Sequence, residues 1–193
     1  MTTDKMIAHC KDYAQRLHDA AMDFDYTPVA TLAEELTQCL EDGRQVFICG
    51  NGGSGANAVH IANDFLYPIT KEYGKGINIQ ALTANSAVVT CLANDEGYDE
   101  IFAYQLGVQA NDGDVLIVLS GSGNSPNIVR ALEAAKDKNM KTCGILGFSG
   151  GKVKDMVDTP IHFAIDDMQI SEDLQMMVAN MIMQWMHTHY KKA

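Results

Sequence analysis

Apolar residues first recur at helical spacing along the chain and later form short continuous runs. Over residues 3–24 they return every three or four positions, which predicts an amphipathic helix. The segment DYTP at 25–28 ends this helix, and a second helix is predicted over 28–41, with proline in its first turn and Gly43 beyond its end. We expect residues 1–43 to form a helical hairpin that packs on the main domain or on another subunit.

After Gly43, runs of strand length alternate with stretches of helical spacing. The runs are almost entirely apolar, so we expect both faces of their sheet to be covered. The predicted strands are residues 44–49, 77–82, 114–119, 141–146 and, as a fifth, 159–165. The predicted helices between and after them are residues 54–67, 86–93, 100–109, 126–139 and 169–190. This alternation predicts an α/β domain over residues 44–193, with a parallel sheet between two helical layers.

Composition narrows the class of protein. The 193 residues are 47% hydrophobic and 20% charged, which is typical of a globular chain. The formal net charge of −11 and the lack of an extended Lys/Arg run disfavour direct nucleic-acid binding. The five cysteines are odd in number and form no CxxC pair, which favours reduced thiols and a cytoplasmic location. We expect no signal peptide and no membrane helix, because no apolar run approaches roughly 20 residues.

A glycine-rich loop, GNGGSG at residues 50–55, directly follows a predicted strand and precedes a helix. Glycines such as Gly52 and Gly53 let the backbone approach a ligand, and free amides at a helix N-terminus favour negative charge. We interpret the loop as an anion cradle, with a plain strand-to-helix turn as the alternative. A dinucleotide site would have an acidic residue near the end of the second strand, and a P-loop would have a lysine. Neither is present, so no nucleotide cofactor is expected.

A second loop, SGSGNSP at residues 120–126, also ends a strand and opens a helix. Its hydroxyls and amides suit a phosphate monoester, because they can surround the terminal oxygens. The candidate ligands here are Ser120, Gly121, Ser122, Asn124 and Ser125. Since the carboxyl ends of parallel strands meet at one edge of a sheet, the two loops are predicted to form one crevice.

His60 and Asp64 stand four residues apart on the helix predicted behind the first loop, and therefore on one face of it. Such a pair can ligate a metal, or it can act as a base with its orienting partner. A solvated or helix-capping pair is the alternative.

Several of these segments together resemble the sugar isomerase (SIS) domain family, and within it the phosphoheptose isomerases. They are GNGGS in the first loop, His60, NDEGY at 94–98, and SxSGNS in the second loop. The resemblance extends over almost the whole chain. It implies a three-layer α/β/α sandwich of flavodoxin-like type with a five-stranded parallel sheet, a sugar phosphate ligand, and a homotetramer with active sites between subunits. It also implies the following binding residues: Ser54, Ser120, Ser122 and Ser125 for the phosphate, Asn51 and Asp95 for the sugar.

The chain departs from that family where catalysis is concerned. The resemblance matches His60 to a zinc ligand and Asp64 to a glutamate that binds zinc and acts as an acid/base. A family QExH-type segment with a later histidine corresponds here to EDLQ at 172–175 and to Asn180. Asparagine does not exchange protons near neutral pH, so the expected acid/base partner is absent. Gln175, in place of a family histidine, remains a candidate substrate ligand.

Three consequences are open. Asp64 and Glu172 can form an acid/base pair for aldose–ketose interconversion through an enediol. His60, Asp64 and Glu172 can hold Zn²⁺ or another divalent metal. Alternatively, catalysis is lost. With Asn180 in place of the family histidine, the chain resembles the DnaA initiator-associating proteins, which act through protein contacts. We predict an isomerase of sedoheptulose 7-phosphate or a related sugar phosphate, with a non-catalytic, phosphosugar-binding regulator of protein partners as the alternative.

Overall fold

The computed structural model describes residues 2–73 and 76–190, with the backbone alone described for residues 68–73. The helices in these ranges are α1 (Thr3–Met22), α2 (Thr27–Asp42), α3 (Gly52–Tyr73), α4 (Ser86–Asp95), α5 (Ala103–Gln109), α6 (Pro126–Asp137) and α7 (Met168–His189). The strands are β1 (Gln45–Gly50), β2 (Asn78–Ala81), β3 (Val115–Ser120), β4 (Lys141–Leu146) and β5 (Thr159–His162). Within the described ranges, no helix is both long and apolar enough to span a membrane.

The five strands form one parallel sheet in the order β2-β1-β3-β4-β5, which confirms the predicted fold class. This is the flavodoxin-like order, in which the chain reverses direction across the sheet between β1 and β3. Ile48 of β1 pairs with Ala81 on one side and with Ile117 on the other. The loops that follow β1 and β3 therefore emerge side by side at the reversal point, where open α/β sheets bind ligands.

The sheet is covered on both faces because successive side chains of each strand point to opposite sides. In β1, Val46 and Ile48 enter the core formed with α2, α3 and α7, whereas Phe47 and Cys49 enter the core formed with α4, α5 and α6. All four are fully buried. The continuous apolar runs in the sequence are thus the strands of a three-layer sandwich.

Helix α3 is longer than predicted, Gly52–Tyr73 instead of 54–67, and two other elements differ from their predicted extents by more than two residues. The helix predicted over 100–109 is divided into a 3₁₀ turn, Tyr98–Glu100, and α5, and the two residues between these elements, Ile101 and Phe102, are buried in the core. The fifth strand ends at His162 because the next residues turn: the amide of Ile165 donates back to the carbonyl of Phe163 at 2.8 Å. Neither change moves the sheet or the loops after β1 and β3.

The two leading helices differ in their packing. Helix α2 buries Leu36 and Leu40, among others, in the same core as the sheet. Helix α1 buries none of its residues. Its polar contacts with α7 are a hydrogen bond from the Tyr13 hydroxyl to Asp173, 2.6 Å, and an ion pair between Arg16 and Asp167, 2.6 Å. Burial and the Asp173 contact raise the pKa of Tyr13 to about 12.

Asp167 caps the N-terminus of α7, because its side chain accepts the amide hydrogen of Ile170 at 3.1 Å. We expect Asp167→Ala to lower the free energy of unfolding by about 1–2 kcal/mol, since both the cap and the ion pair are lost. Asp167→Asn keeps a capping oxygen and should lose less. Urea titration of both variants measures the difference, and equal losses would contradict this account of the cap.

The ion pair between Arg16 and Asp167 predicts that the stability of the protein depends on pH. The hydrogen bonds from Arg16 and from the Ile170 amide lower the pKa of the Asp167 carboxyl in the folded state. Its contribution is therefore present above its unfolded pKa of about 4 and is lost as the pH falls through the lower folded pKa. The stability difference between wild type and Asp167→Asn should be full at pH 7 and should shrink in acid. A difference unchanged down to about pH 2 would argue against it.

Candidate functional site

The loops after β1 and β3 line a common cavity of about 290 Å³, and the start of α7 closes one side of it. The residues on its wall are Asn51, Gly52, Gly53, Ser54, Leu119, Ser120, Gly121, Ser122, Ser125, Met168 and Glu172. The structure therefore brings together most of the loop residues selected from the sequence. It also places Met168 and Glu172 of α7 among them.

The first loop is itself the first turn of α3, which begins at Gly52. The first-turn amides of a helix have no partner within it, so they are available to a ligand in the cavity. Gly52 has φ +55°, a left-handed conformation that suits glycine. Gly53 allows a close approach of α7, since a Cβ built there would collide with the Glu172 carboxylate. The glycines thus serve the backbone conformation and the contact with α7.

The second loop is held by its own hydrogen bonds and by the turn after β4. The Ser120 hydroxyl accepts the amide hydrogen of Gly123 at 3.0 Å. The Asn124 side chain donates to the Ser122 carbonyl at 3.0 Å and accepts from the Lys152 amide at 3.2 Å. Asn124 is not on the cavity wall. Its hydrogen bonds link the second loop to the turn after β4.

Ser125 is the N-cap residue of α6, yet its side chain makes no capping hydrogen bond. Ser125 lines the cavity, and its side chain does not cap the helix. With α3 and α6 both starting at the cavity, two helix N-termini face the same space. Their dipoles favour an anion there.

Two residues that were not among the predicted site residues orient Asn51. The Asn51 and Asn127 side chains exchange two hydrogen bonds of 2.9 and 2.8 Å, and the Tyr98 hydroxyl donates to Asn51 at 3.0 Å. Asn127 is buried at the start of α6, where an asparagine beside a proline is typical of an exposed turn. Asn51 also borders a second cavity of about 290 Å³, lined by Thr83 and Tyr98 among others.

Glu172 and Gln175 lie one helical turn apart on α7, at different depths. Glu172 is on the cavity wall. Gln175 is buried behind the wall, with 1% of its surface exposed, and donates to the Ser54 hydroxyl at 3.0 Å. It is therefore in contact with a lining residue rather than with the cavity itself.

Three further candidates do not reach this cavity within one chain. His60 Nε2 and Asp64 Oδ2 lie 3.2 Å apart, and 60% of the His60 side chain is exposed. Asp95 is exposed and accepts from Asn94 at 2.7 Å. Among residues 2–73 and 76–190, no three His, Cys, Asp or Glu side chains are placed to hold a metal ion together. His60, Asp64 and Glu172 therefore do not fit a metal within one chain.

A parallel sheet with two loops at its reversal point defines the ligand-binding class of open α/β proteins. The SIS domain model matches residues 9–147. The phosphoheptose isomerase of Helicobacter pylori (strain P12) is 36% identical over 155 residues, covering 80% of each chain. That of Rhodospirillum rubrum is 38% identical over 162 residues, covering 82% of this chain and 83% of its own. The chain belongs to the SIS domain family.

Solved structures agree with this assignment. The phosphoheptose isomerase of Neisseria gonorrhoeae has a TM-score of 0.88 at 26% identity, covering 97% of this chain and all (100%) of its own. That of Francisella tularensis has a TM-score of 0.84 at 28% identity, covering 95% of this chain and 97% of its own. The similarity therefore spans the helical hairpin as well as the sheet.

Gly123 packs the second loop tightly against the turn after β4, and its substitution tests how much stability this contact provides. It has φ +63°, and a Cβ there would collide with the backbone carbonyl of Gly150. Gly43 also has a positive φ, +76°, but has open space around its Cβ position. We expect Gly43→Ala to cost about 1–2 kcal/mol from backbone strain alone. Gly123→Ala should cost about 1–3 kcal/mol more, because backbone cannot move aside. Chemical denaturation compares the two, and equal losses would be inconsistent with the packed loop.

Proposed function

We propose that the chain is a phosphosugar isomerase of the phosphoheptose type, which interconverts sedoheptulose 7-phosphate or a related ketose phosphate with its aldose phosphate. The observation that supports this best is the cavity in which two helix N-termini, serine hydroxyls and the Glu172 carboxylate meet. The phosphoheptose isomerases among its relatives support the same activity. Nothing in these comparisons favours the non-catalytic regulator.

Neutral donors hold the phosphate in this proposal. The hydroxyls of Ser54, Ser120, Ser122 and Ser125 and the loop amides surround it, while the two helix dipoles favour its charge. No Lys or Arg is among the described residues that line the cavity. A local site of neutral donors and helix N-termini thus allows a chain with a net charge of −11 to bind an anion.

Glu172 is the acid/base group best placed for the reaction. Isomerisation through an enediol removes a proton from the carbon next to the carbonyl and returns one to the former carbonyl carbon, while a proton passes from the hydroxyl oxygen to the carbonyl oxygen. The Glu172 carboxylate stands beside Gly53 on the cavity wall, within reach of a sugar whose phosphate lies in the loops. Its proposed role is to move that proton.

Asp64 is proposed as the second carboxylate, in a site completed by another subunit. Gly53, Asn57, His60 and Asp64 are spaced to lie on one side of α3, so the pair continues the face that contacts Glu172. Since Asp64 does not reach the cavity of its own chain, it would act in an active site between subunits.

Substitution of the two carboxylates tests their roles. Asp64→Asn and Glu172→Gln should each lower kcat by at least about 100-fold, because each removes a group that exchanges protons. Affinity for inorganic phosphate should persist in both variants and should rise in Glu172→Gln, since a like charge leaves the cavity. NMR of sedoheptulose 7-phosphate turnover, with and without added Zn²⁺, measures the rate.

Glu133→Gln, which alters an exposed residue paired with Arg130, is the matched control and should keep full activity. Wild-type protein that forms no aldose phosphate under either condition would refute the proposed function. An active Asp64→Asn or Glu172→Gln enzyme would refute only the role assigned to that residue.

A divalent metal such as Zn²⁺ remains a separate proposal. The close pair of His60 and Asp64 supports it, but Glu172 does not join them within one chain. A third ligand would have to come from another subunit. No step proposed above depends on the metal.

We also propose a cytoplasmic homotetramer, in which residues 1–43 contribute to assembly and residues 44–193 bind the phosphosugar. The support is in α1, which buries no residue and leaves Met6 and Ile7 each 48% exposed. Apolar residues on one side of an otherwise exposed helix are typical of an interface.

Light scattering tests the assembly. Wild-type protein should have a mass of about 84 kDa, four times the 21.0 kDa of one chain. Replacing both Met6 and Ile7 by glutamate should reduce the mass, because charges would enter an apolar interface. Lys5→Glu, exposed on the side of the same helix that faces away from Met6 and Ile7, is the control and should keep the wild-type mass. A monomeric wild type, or a tetramer unaffected by the double substitution, would contradict the proposal.

A further inference from the structure

Three side chains behind the cavity form a continuous chain of hydrogen bonds. The Asn57 amide nitrogen donates both to the backbone carbonyl of Glu172 and to Oε1 of Gln175, each at 3.0 Å. The amide nitrogen of Gln175 donates to the hydroxyl oxygen of Ser54 at 3.0 Å. These hydrogen bonds join α7 to the first turns of α3, and the last of them ends on Ser54, which lines the cavity.

The backbone carbonyl of Glu172, at one end of the series, determines which group donates and which accepts in each of these hydrogen bonds. A backbone carbonyl can only accept, so the atom of Asn57 that faces Glu172 must be its nitrogen. Because the same nitrogen also faces Gln175, Oε1 of Gln175 must point toward Asn57. The nitrogen of Gln175 is then left to face Ser54, and the Ser54 oxygen must accept.

The opposite orientation of Gln175 is disfavoured. A flipped amide would bring its NH₂ group against that of Asn57, where neither can accept. One hydrogen bond would be lost in a buried position, which costs about 1–3 kcal/mol. Gln175 has only 1% of its surface exposed, so water does not replace the lost partner.

The consequence concerns the Ser54 hydrogen. A hydroxyl has one hydrogen to donate, and accepting from Gln175 leaves that hydrogen unused. The part of the chain that the structure describes provides no acceptor for it. Ser54 lies in the first turn of α3, beside the free amides, so its hydrogen is available to an anion in the cavity.

We propose that Gln175 and Asn57 are positioning residues that hold the Ser54 hydroxyl as a hydrogen-bond donor to the phosphate group of the ligand. Gln175 acts from behind the wall and does not contact the ligand itself. The inference rests on the proposed function in one respect, that the ligand is a phosphate ester. It adds a pair of amides that act on the phosphate through Ser54, while Asn57 also holds the backbone carbonyl of Glu172.

Calorimetric titration with inorganic phosphate tests this without relying on turnover. The variants are Gln175→Met, Ser54→Ala and the double variant. Each single substitution should weaken phosphate binding by about tenfold, because a hydrogen bond to a charged group is lost or misdirected. The double variant should bind no more weakly than the weaker single variant, since both substitutions remove the same interaction.

Gln105→Met is the matched control. Gln105 is a buried glutamine, 4% exposed, that donates to the carbonyls of Leu82 and Ile101 at 3.1 and 2.7 Å, and it is not on the wall of the cavity. Its replacement should destabilise the protein comparably and leave phosphate affinity unchanged. Should Gln175→Met fail to fold, Asn57→Ala frees Gln175 to flip and should also weaken binding, though by less.

The outcomes separate the inference from the proposed function. Wild-type affinity in a folded Gln175→Met or Asn57→Ala variant overturns the inference, and so do additive losses in the double variant. Wild-type protein that does not bind inorganic phosphate overturns it as well. Wild-type protein that binds phosphate but does not turn over sedoheptulose 7-phosphate overturns the proposed function and leaves the positioning of Ser54 standing.

Discussion

The contact between the first turn of α3 and the start of α7 is the interaction on which the candidate site depends. Gly53 lets the Glu172 carboxylate approach the helix N-terminus, and Gln175 reaches the Ser54 hydroxyl one turn further along α7. Without this contact the two loops would still face each other, because the sheet order places them together. The cavity would then lack Glu172, the one carboxylate among the described residues on its wall, and Ser54 would lack its hydrogen bond from Gln175.

Charge at this contact is balanced locally. In the proposed site an acidic chain would bind an anion through neutral donors, and the Glu172 carboxylate stands beside the same donors. The carboxylate opposes the phosphate electrostatically, whereas the two helix N-termini favour it. Phosphate affinity is therefore expected to be limited by Glu172, the group that the proposed proton transfer requires. Arg16 of α1 forms an ion pair with Asp167, the residue that caps the N-terminus of α7, and so helps to hold the start of α7 in place.

The fold was largely predictable because its signal is periodic. Continuous apolar runs such as that of β1 are buried on both faces, and the glycine and serine loops follow them directly. The loops that line the cavity were predictable for the same reason. Boundaries were less so: α3 begins at Gly52, inside what the sequence suggested was a loop, since the first turn of a helix can be built of glycines when its amides face a cavity.

The residues that sequence analysis missed share one property. Asn127 and Tyr98 contact Asn51 from positions far apart in the chain, and no local pattern marks such pairs, although Tyr98 ends the NDEGY segment that carries the family resemblance. The alignment with the family made Gln175 a candidate ligand, but its side chain is buried behind Ser54 and contacts that residue instead. His60 and Asp64 were selected by spacing, which shows that they share a helix face but not what that face meets.

The most direct test of the central claim is a crystal structure of the protein with sedoheptulose 7-phosphate bound. The account predicts the phosphate within hydrogen-bonding distance of the hydroxyls of Ser54 and Ser120, at the starts of α3 and α6. The sugar carbons should lie beside the carboxylate of Glu172. A phosphate bound outside these loops, or a sugar that leads away from Glu172, would contradict it.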